Sequence, residues 1–230
     1  MKSGCVIAGS RPWCRHLAAE IQCTTGIPCQ FIQTPQELTY ETLNHFSPRY
    51  IFFPHWSWII PPAIWKNFEC IIFHMTDLPY GRGGSPLQNL IIRGHEETKI
   101  SALRCSDEID AGPIYLKQAL SLLGSAEEIY IRANKVIRNM IISILQHNPN
   151  PTPQEGLATL FKRRTPEESN LDGVQTLQEF FDRIRMVDAE GYPSAFLDFG
   201  KFRLHFTRAS RKTDKIIADV CISIKDIKDV

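Results

Sequence analysis

Cys70-Ile71-Ile72-Phe73-His74-Met75-Thr76-Asp77-Leu78-Pro79-Tyr80-Gly81-Arg82-Gly83-Gly84-Ser85-Pro86 decides how this chain folds. It opens on a short apolar run bounded by turn residues, as expected of a central strand buried on both faces. It then breaks into a turn-rich loop. Pro79 sets the chain direction, while Gly81, Gly83 and Gly84 permit close backbone approach or positive φ. His74 therefore stands at the carboxyl end of an inner strand, where open α/β sheets keep their ligand crevices. A structural glycine turn would look the same in isolation, and Asp110 alone, in Asp-Ala-Gly-Pro, would be a plain turn signal. Together they read differently. Ile109-Asp110-Ala111-Gly112-Pro113-Ile114 sets a carboxylate at a second turn, 36 residues beyond His74. A titratable base and an acidic partner, both held at turns, are what proton-transfer chemistry needs. Beside His74, Asp110 would hold the imidazole in one tautomer and favour its protonated form.

Working outward, the same alternation recurs. Cys5 to Ala8, Pro28 to Ile32 and Tyr50 to Phe53 read as strands. Helices are expected from Pro12 to about Gln22 and from Thr34-Pro35, where proline suits a first helical turn. Strands alternating with helices give a parallel-rich α/β sheet. Lys99 to Leu103 and Ile114 to Lys117 look like two further strands joined by a charged connection. Ser125 and Glu128 form a capping box for a helix reaching about Gln146, with Ile129, Ala133, Val136, Ile137, Met140 and Ile144 on its core face. Asn148-Pro149-Asn150-Pro151-Thr152-Pro153 cannot continue that helix and marks a rigid linker. Beyond it come an amphipathic helix, Leu177 to Arg185, and strands at Ala195 to Phe199, Phe202 to Thr207 and Ile216 to Ile222, the first two forming a hairpin. The expected division is residues 1–150 as the main domain and 151–230 as a small α+β appendage.

The 230 residues suffice for one large core and an appendage. With 26 basic and 25 acidic residues, no global field draws the chain to nucleic acid or a membrane. Its apolar runs are too short to span a bilayer, and the N-terminal residues read as a buried strand rather than a secretory signal. The seven cysteines contain no C-x-x-C pair, which points to free thiols in a reducing cytoplasm and to no metal site.

Other candidates weigh less. His16, His45, His95, His147 and His205 fit ordinary surface or satisfied histidines. Gly9-Ser10-Arg11 ends a strand and opens a helix, an arrangement that suits a phosphate, although it is not the G-x-G-x-x-G dinucleotide fingerprint. Trp56, Trp58, Ile59, Ile60 and Pro61 follow a central strand. Core packing is their default role, and a wall for a flat heteroaromatic ligand is the alternative.

His74-x-x-x-Leu78-Pro79-x-x-Arg82-Gly83-x-x-Pro86 and Asp110-x-Gly112-Pro113-Ile114 resemble the signature of the formyltransferases that use 10-formyltetrahydrofolate. The resemblance covers about Val6 to Leu145. It implies a Rossmann-like catalytic domain and a catalytic Asn, His and Asp, of which His74 and Asp110 match two. The family's asparagine lies two residues before the histidine, where this chain has Ile72. An aliphatic side chain donates no hydrogen bond to an oxyanion, and losing one such donor typically costs about 2.7–4 kcal/mol of barrier. Thr76, Asn89 or a backbone N–H are the candidate replacements. The resemblance further implies that Trp58, Ile59, Ile60 and the loop Arg104, Cys105, Ser106, Asp107, Glu108 and Ile109 cradle the pterin. Ser10, Arg11, Arg82, Gly83 and Gly84 would face the acceptor.

Arg163 to Ser169 and Ile184 to Phe196 look similar to the corresponding segments of sugar-modifying members, and the stretch from Pro151 onward is almost neutral. A tRNA-binding member should carry a basic C-terminal domain. The leading expectation is therefore an N-formyltransferase acting on a nucleotide-linked amino sugar, with no nucleic-acid or membrane partner and a cytoplasmic location. A methionyl-tRNA formyltransferase-like enzyme is the first alternative. A folate or nucleotide-sugar binder without catalysis, suggested by Ile72, is the second. The oligomeric state stays open, a homodimer among the options.

Overall fold

The computed structural model describes residues 4–225. Its elements, in chain order, begin with β1 (Gly4–Ala8), α1 (Leu17–Thr25), β2 (Cys29–Ile32), α2 (Tyr40–Phe46), β3 (Pro48–Phe53), α3 (Pro62–Trp65), β4 (Cys70–His74) and β5 (Arg82–Gly83). They continue through α4 (Pro86–Ile92), β6 (Glu97–Arg104), β7 (Ile114–Ser121), α5 (Ala126–His147) and β8 (Leu160–Phe161). α6 (Leu177–Arg185), β9 (Ala195–Phe199), β10 (Phe202–Arg211) and β11 (Ile216–Ile224) complete the set.

Two compact units emerge. The first comprises the described residues up to Gly83 with Thr98–Leu120 and Ile131–Leu160. A six-stranded sheet of order β2-β1-β3-β4-β6-β7 forms its centre. β2, β1, β3 and β4 run parallel, and β6 is antiparallel to β4, with His74 opposite Ser101 and Ile72 opposite Leu103. The inner strands are apolar on both faces because both faces are covered. Every residue of β1 is buried, and Ile51, Phe52 and Phe53 are fully enclosed. Each such side chain contributes roughly 1.5–3 kcal/mol by leaving water. One face packs Val6, Ile51 and Phe53 against Leu43, Ile64 and Phe68. The parallel-rich α/β sheet expected from the alternation is the one observed.

The second unit comprises Gly84–Glu97, Ser121–Tyr130 and the described residues from Phe161 onward. Its three-stranded antiparallel sheet has order β11-β10-β9, and Phe202 pairs with Phe199 at the expected hairpin. α6 covers one face of this sheet, with Phe180 edge-on to Phe206 at 5.9 Å. Arg185 is buried and satisfied by Asp182 at 2.6 Å and by the carbonyls of Leu122 and Gly124.

Three local expectations are corrected. The helix foreseen from Pro12 is only a 3-10 turn, Pro12–Cys14, and α1 proper starts at Leu17 and stops at the left-handed Gly26. The helix foreseen at Thr34-Pro35 is a single turn, in which Glu37 bonds back to Thr34 and to the Gln33 N–H. Thr39, whose hydroxyl accepts from the Thr42 N–H, caps the real helix α2. The proline-rich stretch after α5 is docked rather than free. Thr152 and Ile114 exchange two backbone hydrogen bonds, 2.7 and 2.9 Å long. The α5 capping box is present, with the Ser125 N–H donating to Glu128 and the Glu128 N–H to Ser125 Oγ. Among the described residues, no helix is long and apolar enough to cross a membrane.

Candidate active site

β4 carries His74 to the crevice end of the sheet, where the ring is 8 % exposed. Its Nε2 lies 2.8 Å from the Gly81 carbonyl oxygen. A carbonyl only accepts, so Nε2 carries the proton and Nδ1 is the position whose protonation changes. That Nδ1 faces Asp110 Oδ2 at 3.5 Å. The same Oδ2 accepts the Gly83 N–H at 2.9 Å. The two turns picked out by their glycines thus meet, and the histidine and carboxylate share a largely buried site.

Neighbouring bonds hold the pair. The Gly81 N–H donates to Thr159 Oγ1 at 2.7 Å, and the Arg82 N–H to the Thr159 carbonyl at 2.9 Å. Ser101, opposite His74 on β6, donates to the Thr76 carbonyl and accepts the Leu78 N–H. Asp110 adopts φ 53°, a left-handed conformation that aspartate tolerates better than most residues. Gln154 braces this turn. Its amide donates to the carbonyls of Asp110 and Gly112, both at 2.8 Å, while its Oε1 accepts twice from Arg82. Gln154→Ala leaves several partly buried groups unmatched, so we expect a stability loss of about 1–3 kcal/mol in urea unfolding.

Beside the pair lies a cavity of about 280 Å3. Its lining includes Trp58, Ile59 and Ile60, Ile72 and Leu103, and Arg104, Cys105, Ser106, Asp107, Glu108, Ile109 and Asp110. Asp110 belongs to this wall and His74 backs it. Within the tryptophan segment Ile60 is buried in the core and Trp56 packs against it, whereas Trp58 is 46 % and Ile59 84 % exposed. Trp56 packs edge-on against Phe53 and Trp58, and its buried indole N–H has no acceptor among the described residues. An apolar slot with a polar rim and one unspent donor suits a flat heteroaromatic group.

Other expected residues have their donors committed elsewhere. Thr76 is fully buried and its hydroxyl donates to the Gly81 carbonyl. Asn89, in the second unit, spends its amide on the carbonyls of Gly84, Ser85 and Lys162. Neither is available as a replacement oxyanion donor. Arg82 is engaged by Gln154 and Glu108, the Gly83 N–H by Asp110 and the Gly84 N–H by Phe161. Ser10 donates to the His55 carbonyl at 2.6 Å, and Arg11 precedes a three-residue 3-10 turn, which offers no helical N-terminus for a phosphate. Gln154, Ser101 and Thr159 went unnoticed in the sequence, where no periodicity or spacing singles them out.

Next to Ser10, the His55 ring sits edge-on to Trp13 with its Nε2 shielded from solvent. Burial, and secondarily the Arg11 guanidinium, push its pKa from 6.5 down to about 4. The unfolded chain takes up this proton below about pH 6.5 and the native state resists it, so stability present above that pH is lost as the pH falls toward 4. Urea titrations should show this histidine removing at most about 3 kcal/mol between pH 7 and pH 4. His55→Asn, which tolerates the local φ of 50°, should flatten that slope.

A family model described as Formyl transferase matches residues 30–145, half of the chain. The chain belongs to the formyl transferase family. A second model, described as Methionyl-tRNA formyltransferase, C-terminal domain, matches residues 166–223. The solved structure of a methionyl-tRNA formyltransferase from Clostridium thermocellum is 49 % identical with a TM-score of 0.94, covering 96 % of this chain and 99 % of that one. The methionyl-tRNA formyltransferase of Gluconobacter oxydans is 27 % identical over 143 residues, 60 % of this chain and 46 % of that protein. The chain spans about half the length of the curated relatives it matches. A sugar N-formyltransferase from Shewanella shares the fold at a TM-score of 0.72 but only 12 % identity, covering 93 % of this chain and all of that one.

These likenesses overturn the amino-sugar nucleotide acceptor and, with it, the expected absence of a nucleic-acid partner. The error lay in counting charge over the whole C-terminal stretch. A near-neutral total still leaves exposed basic groups: Lys162 and Arg163, and Arg211, Lys212 and Lys215 around the β10–β11 turn, are exposed within the second unit, while Arg208 there is paired with Asp219.

Proposed function

We propose that this chain transfers a formyl group from 10-formyltetrahydrofolate to the amino group of methionine carried on tRNA, in the cytoplasm. The observation that carries this reading is the 49 % identity, across nearly the whole chain, to a methionyl-tRNA formyltransferase of solved structure. Trp58, Ile59, Ile60 and the 104–109 wall would hold the pterin, with the Trp56 indole N–H available to a ring acceptor. The donor, when bound, supplies an activated formyl carbon. The chain's own part is to receive a neutral amine, to accept the proton that amine loses, to return a proton to the donor nitrogen that departs as its bond to the formyl carbon breaks, and to keep water out. Asp110 on the cavity wall and His74 behind it act as one unit: the proton is held at Nδ1 and the carboxylate compensates the imidazolium. Ile72 adds an apolar group to the cavity lining beside this pair. The exposed basic residues of the second unit suit the phosphates of an RNA acceptor.

The test is incubation with 10-formyltetrahydrofolate and methionyl-tRNA, following tetrahydrofolate release and formylmethionine together. Stoichiometric appearance of both is expected. Donor binding without turnover would replace this reading with a folate binder in which Ile72 has removed catalysis.

A further inference from the structure

β2 forms the outer edge of the large sheet, and its first residue, Cys29, pairs directly with Cys5 of β1 in parallel register. The two Sγ atoms lie 3.0 Å apart. Neighbouring strands run about 4.8 Å apart, inside the roughly 4.4–6.8 Å Cα window that a disulfide spans. Burial differs sharply between the two sulfurs. Cys5 is fully enclosed, whereas Cys29 is half-buried on the edge strand, and both are free thiols. One thiol is therefore reachable from solvent, and a second waits behind it in bonding range. Among the described residues, this pair alone is recorded in direct Sγ–Sγ contact.

We propose that Cys5 and Cys29 are a modification site that closes reversibly to an intramolecular disulfide on reaction with a low-molecular-weight disulfide of the glutathione type. The Cys29 thiolate attacks one sulfur of the small disulfide, forming a mixed disulfide and expelling one thiolate, which takes up the proton Cys29 had released. Cys5 then attacks Cys29 Sγ. The Sγ–Sγ bond forms, the mixed bond breaks, and the second small thiol leaves with the Cys5 proton. Two protein thiols are oxidised and one small disulfide is reduced to two thiols. Attack begins at Cys29 because it is accessible, and because the hydrogen bond from Cys5 holds its pKa below the ordinary thiol value against the opposing effect of burial. Cys14 and Cys70 are buried, so a small disulfide does not reach them first; Cys5 is likewise buried and its thiol pushed up, so it acts only second, from contact distance, on the already oxidised Cys29 sulfur. Exposed Cys23 and Cys221 and half-buried Cys105 can take up the small thiol, but the Sγ–Sγ contact at 3.0 Å is that of Cys5 with Cys29.

The whole reduced protein, treated with oxidised glutathione, acid-quenched and peptide-mapped, provides the test. A Cys5–Cys29 crosslinked peptide about 2 Da lighter than its reduced parts, restored by dithiothreitol, is the expected product. Cys5→Ser should instead trap glutathione on Cys29. In the wild type, a persistent glutathione adduct on Cys29, a crosslink between other cysteines, or no change at Cys29 while Cys23 and Cys221 react would each overturn the proposal.

Discussion

His74→Ala is expected to lower kcat for formyl transfer by about 10²–10⁴-fold, the usual contribution of a positioned proton acceptor. Donor affinity should stay within about threefold, since His74 stands behind the cavity wall and the transfer step alone needs it. The argument is geometric. Nε2 is tied to the Gly81 carbonyl and Nδ1 faces Asp110 at 3.5 Å, so the ring is held in one orientation with one nitrogen open to protonation. Asp110→Asn should bring a comparable loss while leaving the Gly83 N–H an acceptor, which separates chemistry from loop collapse. Single-turnover rates across pH check both variants. If His74→Ala keeps wild-type turnover with an unchanged pH profile, proton transfer runs elsewhere and the mechanism falls.

Gly112→Ala should be the most destabilising single methyl in the catalytic unit. A Cβ at this position would lie 1.8 Å from the Arg104 carbonyl oxygen and 2.9 Å from its carbon. Both are backbone atoms of a neighbouring strand, held by the Arg104 N–H to Pro113 carbonyl bond at 2.9 Å, so no side chain can rotate away. The turn must open, releasing the Gln154 bond to the Gly112 carbonyl and shifting Asp110 with it. On the order of 3 kcal/mol or more is expected from such overpacking. Gly26→Ala is the control. It has φ 70° but nothing within 4 Å of its Cβ, so only the backbone preference is lost, about 1 kcal/mol. Urea midpoints that fail to separate the two variants would refute the steric account.

Local grammar in the sequence carried much of this architecture. The apolar runs marked the inner strands because both sheet faces are covered, and Ser125 with Glu128 announced α5 because a capping box is a contact between near neighbours. The same grammar misread Thr34-Pro35, where the turn closed by Glu37 stops after one round and Thr39 caps the helix that follows. It also missed α4, although Pro86 stands at its first position, since Ser85 enters that helix from the left-handed region without a side-chain cap. The pairing of His74 with Asp110 could be suspected but not read, as it depends on β6 and the turn after it returning to β4. Gln154 was invisible for the same reason, acting across 44 residues on Asp110 and 72 on Arg82. The acceptor was misjudged because overall neutrality still leaves exposed basic groups.

The reach of that brace bears on anyone cutting this protein into parts. A truncation placed in the proline-rich stretch, where composition invites it, would remove Gln154 and Thr159 and with them the bonds to Gly81, Arg82, Asp110 and Gly112. Such a fragment would keep every residue of the histidine–carboxylate pair and lose the chain that holds the two turns in register. A minimal catalytic fragment must extend through Thr159.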